Sequence, residues 1–198
     1  MLAESESDKV RKIEQLAQQI AQADGSTLFD SGHEAAKAPV RAKALRLLDQ
    51  RMRSRKELLD RLLAVEEFLP AIVEEVVDDL ARGGLVNDKL FASEWVRQRF
   101  SLRGKSRTVL DRELREKGIS SADRSDALEQ VTRVDEEMVA RKLATKKAGT
   151  LRCVPENYAD KQKDLRKIVG VLARRGFPSD MSMTVAREAL DARYEELG

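Results

Sequence analysis

The chain has a single cysteine, Cys153. No internal disulfide can form, which suits a reducing, cytosolic compartment. Aromatic residues make up only 4% of the 198 positions, with 4 prolines and 10 glycines. β-Sandwiches and barrels need frequent turns and aromatic or β-branched strands, so this scarcity argues against both. The only histidine is His33. It has no evident orienting partner, which removes most Ser–His and Cys–His mechanisms. Cys153 has no Cys or His near it, so a metal site is not expected. No run approaches the ~18 apolar residues of a membrane helix, and the acidic stretch from Met1 to Asp8 carries no signal-peptide pattern.

What the chain has in excess is charge. Charged residues reach 36%, against about 25% in average globular proteins. That points to much surface around little deep core, as in an elongated molecule. The formal net charge is only +2, which by itself says nothing about nucleic acid.

Residues 1–39 read as an N-terminal extension. Val10, Ile13, Leu16, Ala17 and Ile20 fall at helical spacing and predict a short amphipathic helix. The polar run from Asp24 through His33 to Pro39 reads as a flexible linker.

From Val40 onward the pattern is helical nearly throughout. Ala44, Leu47 and Leu48 share one face of a helix near Arg41–Arg51. Ser54 to Glu57 has the form of a capping box, with Leu58, Leu59, Leu62 and Leu63 as the apolar stripe that follows. Pro70 suits a first helical position and opens a helix bearing Ile72, Val73, Val76, Val77 and Leu80, stopped at Gly83-Gly84. The unit then recurs. Asn87 or Asp88 caps a helix with Leu90, Phe91, Trp95, Val96 and Phe100. Ser106 begins one with Val109, Leu110 and Leu114. Ser120 or Ser121 begins a shorter one with Ala127, Leu128 and Val131. A third pass carries Met138, Val139, Leu143 and Ala144, then Leu165, Ile168, Val169 and Leu172, then Val185, Ala189 and Leu190. Gly170 lies inside one of these helices and suggests close approach by a neighbour.

Residue-level echoes support a repeat. Ser54, Leu58 and Leu62 match Ser106, Leu110 and Leu114 in spacing, and Leu114…Gly118-Ile119 matches Leu172…Gly176-Phe177. The first repeat departs, with Glu66-Glu67-Phe68 at that place. Periods near 50 residues mark solenoid-like arrays. The expected organisation is an all-α, elongated, curved array of three tandem three-helix repeats, at 40–86, 87–131 and 132–198.

Charge alternates along the same frame. Residues 41–63, 97–117 and 141–175 carry net +5, +5 and +8, whereas 64–96, 118–140 and 176–198 carry −6, −4 and −3. Stacked in one orientation, the basic segments form a stripe suited to a nucleic-acid backbone or an acidic protein groove.

Several tempting motifs fail. Gly104-Lys105-Ser106 imitates the end of a phosphate-binding loop, but Arg99 stands where the first glycine is required and no strand precedes it. The carboxylate pairs Glu74-Glu75 and Asp78-Asp79 lie on the outer face of a helix and read as solvated. Trp95 is able to stack a base, yet its apolar neighbours favour core packing. No catalytic residue, cofactor site or metal site is assigned, and an enzyme is not expected.

Three stretches carry a family resemblance. They are Ala44-Leu45-Arg46-Leu47-Leu48 with Arg51-Met52-Arg53-Ser54 and Glu57-Leu58; Gly84-Leu85-Val86-Asn87-Asp88 with Phe91-Ala92; and Arg99 with Gly104-Lys105, Glu113-Leu114 and Lys117-Gly118-Ile119. This ordered series resembles the RecX family, well over residues 40–131 and more loosely beyond. The resemblance implies a regulator, mostly an inhibitor, of the RecA recombinase that lies in the groove of its filament on DNA. It also implies weak direct DNA binding and no cofactor. The basic residues near the matching motifs, Arg51, Arg53, Arg99, Arg103, Lys105 and Arg107, are the expected RecA or DNA contacts. A monomer is expected. The competing readings are a stand-alone helical-repeat nucleic-acid binder and an adaptor for an unrelated protein.

Overall fold

The computed structural model describes residues 26–198, with side chains from residue 32. The helix expected over Val10–Ile20 lies outside the described residues. Within them the structure is helical and has no strand. The helices are α1 (Ser26–Gln50), α2 (Arg55–Leu63), α3 (Pro70–Arg82), α4 (Asp88–Arg103), α5 (Arg107–Glu116), α6 (Ser121–Leu128), α7 (Arg133–Ala148), α8 (Tyr158–Ala173) and α9 (Ser179–Leu197). None is long and apolar enough to cross a membrane.

Contacts sort the helices into threes: α1–α3, α4–α6 and α7–α9. Each group encloses its own core. The first holds Val40, Ala44, Leu58, Leu62, Val73, Val76 and Val77. The second holds Phe91, Val96, Leu110, Leu114 and Val131. The third holds Ala140, Ala144, Ile168, Leu172, Val185 and Ala186. Each fully buried leucine or isoleucine contributes about 1.5–3 kcal/mol, but three small cores leave each group dependent on its neighbours.

Caps fix most helix starts. Ser54, Asn87, Ser106, Ser120, Thr132 and Asn157 each accept a bond from the backbone N–H three residues on, satisfying an amide that the helix itself leaves open. Pro70 occupies the first turn of α3 without a side-chain cap. The turns after α5 and α8 are alike: Ile119 N–H returns to Leu114 O, and Phe177 N–H to Leu172 O. The first group departs here, as its sequence does. After α2, Val65 N–H bonds Leu62 O and Phe68 N–H bonds Val65 O, and Phe68 packs against the first core.

Four expectations need correction. The run through Pro39 is not a linker over its described part, because α1 begins at Ser26 and carries Pro39 inside it. Docking on α3 compensates for the hydrogen bond that proline removes. Lys37 is buried, pairing with Glu34 and Glu75, while Arg41 reaches Asp79 and His33 reaches Glu75. The capping box at Ser54 is only half formed, since Glu57 turns away to Arg51 and Lys117. Gly170 admits no neighbouring helix; the contact at its Cβ position is Arg174, on the following turn. Met138 and Leu90, read as core residues, are 58% and 52% exposed.

The groups are joined by the same parts used twice. At the first joint the Ser54 hydroxyl donates to Lys117 O, and Gly118 sits against Lys56. At the second, Ser106 N–H donates to Arg175 O, and Gly176 sits against Ser106 and Val109. A carboxylate from the following group completes each joint. Asp88 accepts the Arg55 N–H at 2.7 Å, and Glu136 accepts the Arg107 N–H at 2.7 Å. These are the first amides of α2 and α5, where helix dipole and unsatisfied N–H groups both favour an anion.

Candidate interaction groove

Between the first two groups lies an open groove of about 730 Å³. Arg51 and Met52 form one side. The α4 face with Trp95, Arg99, Leu102 and Arg103 forms the other, and Lys117 closes an end. The groove exists because Gly118 and Ser54 bring α5 of the second group against the start of α2.

Trp95 is its centre. Phe91, one turn earlier on α4, stacks on the indole at 5.6 Å between centroids. Arg99, one turn later, places its guanidinium 4.3 Å from the ring centroid, and the Lys117 ammonium lies 4.9 Å from it. Both fall within the range of cation–π attraction. The indole N–H donates to Glu113 at 3.0 Å, and Glu113 also pairs with Lys105. Lys117 pairs with Glu57, which accepts from Arg51 at 3.2 Å. Arg51, Glu57, Lys117, Trp95, Glu113 and Lys105 thus form one continuous network across the joint.

Electrostatics in this network follow from partial burial. Burial is the largest influence on Glu57 and works to raise its pKa, but Lys117 and Arg51 together outweigh it and hold the carboxyl below its ordinary value. Asp88, at the same joint, goes the other way. Burial lifts its carboxyl above the ordinary value despite the bond from the Arg55 amide.

The structure separates the six basic residues named from sequence. Arg51, Arg99 and Arg103 line the groove. Lys105 stands behind Trp95, tied to Glu113. Arg107 is at the second joint, its N–H on Glu136 and its guanidinium 3.3 Å from Val131 O. Arg53 must be withdrawn as a contact residue. It is only 5% exposed, donates at 2.9 Å to Leu47 O, and holds the end of α1. Its methylene stem and guanidinium serve packing, with Nη1 buried and unpartnered.

Sequence reasoning missed Lys117, Met52 and Leu102 as groove residues; Trp95 packs against the second core as expected, but it is only part-buried and also lines the groove. A signal was present for Trp95, because an aromatic four residues before Arg99 on a helix predicts stacking. Lys117 falls in a stretch that carries the family resemblance, but nothing there points to its partner Glu57, 60 positions away.

Comparison with known proteins gives one consistent family. The model of the first RecX three-helix domain matches residues 41–80, and that of the second matches 87–128. The chain is 50% identical to "Regulatory protein RecX" of Corynebacterium efficiens, over 98% of this chain and 94% of the relative. It is 36% identical to the protein of the same description from Streptomyces lividans, over 87% of this chain and 92% of that one. The crystal structure of RecX from Lactobacillus salivarius superposes with a TM-score of 0.66 at 27% identity, covering 80% of this chain and 99% of that one.

Proposed function

This chain belongs to the RecX family, and from that membership we propose that it binds the RecA recombinase and its filament on DNA and restrains RecA activity. The activities restrained are ATP hydrolysis, strand exchange and the stimulation of repressor cleavage. The observation that carries this reading is the near full-length match to a regulatory protein, 50% identical across 98% of the chain. It spans the helices, both joints and the groove, rather than one module.

A regulator of this kind works by occupying a surface, so its affinity resides in side chains rather than in a reaction centre. The groove supplies suitable ones. Arg99 is held over the Trp95 ring, with the exposed Arg51 and Arg103 in the same lining, and a partly desolvated cation binds an anionic partner more strongly than a fully solvated one. Lys105, just before the Ser106 cap of α5, and Arg107, the first residue of that helix, extend the basic cluster in sequence. Direct DNA contact through these cations is expected to be weak and salt-sensitive, because phosphate contacts act by releasing counterions.

The test is to titrate the protein into RecA assembled on single-stranded DNA and to follow ATP hydrolysis. Inhibition is expected, weakened by Lys105→Glu combined with Arg107→Glu. Unchanged inhibition by the folded double variant removes those two residues. No effect of the wild-type protein on RecA at saturating concentration refutes the reading. Filter binding to DNA without RecA, across a salt series, distinguishes a stand-alone nucleic-acid binder.

A further inference from the structure

We propose that the groove between the first two groups takes a short acidic peptide segment carrying one apolar side chain. The proposal rests on the reading above and specifies the kind of segment such a regulator grips on its protein partner.

Three observations select this occupant. The first is charge. Arg99 and Arg103 line the groove with Arg51 and Lys117. The one carboxylate on the wall, Glu94, is already engaged by Arg97 at 2.7 Å. Glu57 and Glu113 are likewise committed to lysines. Among the described residues neither Arg99 nor Arg103 has a carboxylate partner, so there the lining keeps positive charge that the pairs of Arg51 and Lys117 with Glu57 do not compensate.

The second is apolar surface in the same place. Leu102 is 80% exposed and Met52 is 42% exposed, at facing edges of the groove. Covering them with an apolar side chain is favourable in proportion to the area removed from water. Methionine also adapts readily to the shape of what it meets.

The third excludes the main rival. Single-stranded nucleic acids bind by stacking bases on open aromatic faces. The indole of Trp95 is flanked by the Phe91 ring and overlaid by the Arg99 and Lys117 cations. A base has to displace a cation in order to stack, whereas a peptide carboxylate engages the outward N–H groups of Arg99 where they stand.

Trp95 is the only tryptophan in the chain, so its fluorescence reports on this groove alone. The probe is a blocked peptide of aspartates and glutamates around a single leucine, added to the full chain. The same peptide with every carboxylate replaced by an amide is one control, and oligodeoxythymidine is the other. A saturable change in Trp95 emission with the acidic peptide is expected, with none from the amide peptide. Arg103→Glu is expected to weaken it by about tenfold, and Leu102→Ser, which keeps the charge, by a few-fold. Circular dichroism confirms that both variants fold. A response to oligodeoxythymidine but not to the peptide, or to neither, overturns the proposal, as does full peptide affinity in both variants. Inhibition of RecA ATP hydrolysis is measured on the same samples. Inhibition without a peptide response refutes the groove assignment alone. A peptide response without inhibition refutes the functional reading alone.

Discussion

Replacing Gly176 with alanine tests whether the joints between groups, rather than the groups themselves, hold the molecule together. Gly176 has φ +80°, in the left-handed region, where a side chain costs roughly 1–2 kcal/mol. A Cβ there also falls 2.3 Å from Val109 Cγ2 and 2.7 Å from the Ser106 hydroxyl, across the second joint. Val109 is β-branched and stiff about χ1, so the clash is relieved only by shifting one group against the other. Overpacking of this kind costs about 1–3 kcal/mol. Gly84 supplies the control, since its φ is +76° but nothing lies within 4 Å of its Cβ position. Gly84→Ala should therefore lose only the backbone part, about 1–2 kcal/mol, and Gly176→Ala about 2–5 kcal/mol in all. Urea unfolding followed by helical circular dichroism reads the difference as a lower midpoint. If the joint is loosened enough for the groups to unfold separately, the slope also falls. Equal destabilisation by the two substitutions refutes the argument, because the joint then contributes nothing beyond local backbone geometry.

Asp88 offers a second test of the joint. Asp88→Ala leaves the Arg55 amide without its acceptor and should cost about 1–2 kcal/mol. Asp88→Asn keeps an acceptor. Because burial raises the folded pKa of Asp88, its contribution is full below the ordinary carboxylate value and is lost as pH rises through the raised one. Asn should thus gain on Asp in urea midpoint from about pH 4 to pH 7. Glu57 has the opposite sign. Its depressed pKa means that its contribution is present above the ordinary carboxylate value and lost as pH falls through the lowered one. Lys117→Met should flatten that acid-side loss, and an unaltered pH profile would falsify the Lys117–Glu57 link. Arg53→Met should lower stability by about 1 kcal/mol, for the bond to Leu47 O, yet leave RecA inhibition per folded molecule within about twofold. A selective loss of inhibition would return Arg53 to the contact residues.

Local features were legible in the sequence because they depend on neighbours a few residues apart. The serine caps at Ser54 and Ser106, the proline at the start of α3, the repeated Leu-x3-Leu stripes and the glycine stops follow from spacing alone, and they lead to the helical fold of the described residues. What was not legible depends on which distant residue arrives. Glu57 has the spacing of a capping-box partner, but two cations, one from another group, draw it away. Arg53 and Arg51 are two positions apart in the same basic cluster, yet one is buried against the end of α1 and the other faces the groove. Helix α1 runs through Pro39 because α3 offers Glu75 and Asp79 to Lys37 and Arg41, and nothing in a polar, proline-containing stretch announces such a partner.

The two joints are also linked to each other, through α4. The side chain of Arg103 lines the groove beside the first joint, while its carbonyl accepts a bond at 3.0 Å from Arg175, which belongs to the second. Gly104, immediately after it, is fitted against Val139 and Leu143 of the third group. The last turn of α4, with Leu102 and Arg103, is therefore positioned by the third group although it serves a groove between the first and second. A helix end left unsupported frays, because its last carbonyls have no partner within the helix. Arg175 and Gly104 prevent that here. The third group, which contributes no side chain to the groove lining, thus shapes the groove by holding the backbone from which two of its key side chains project.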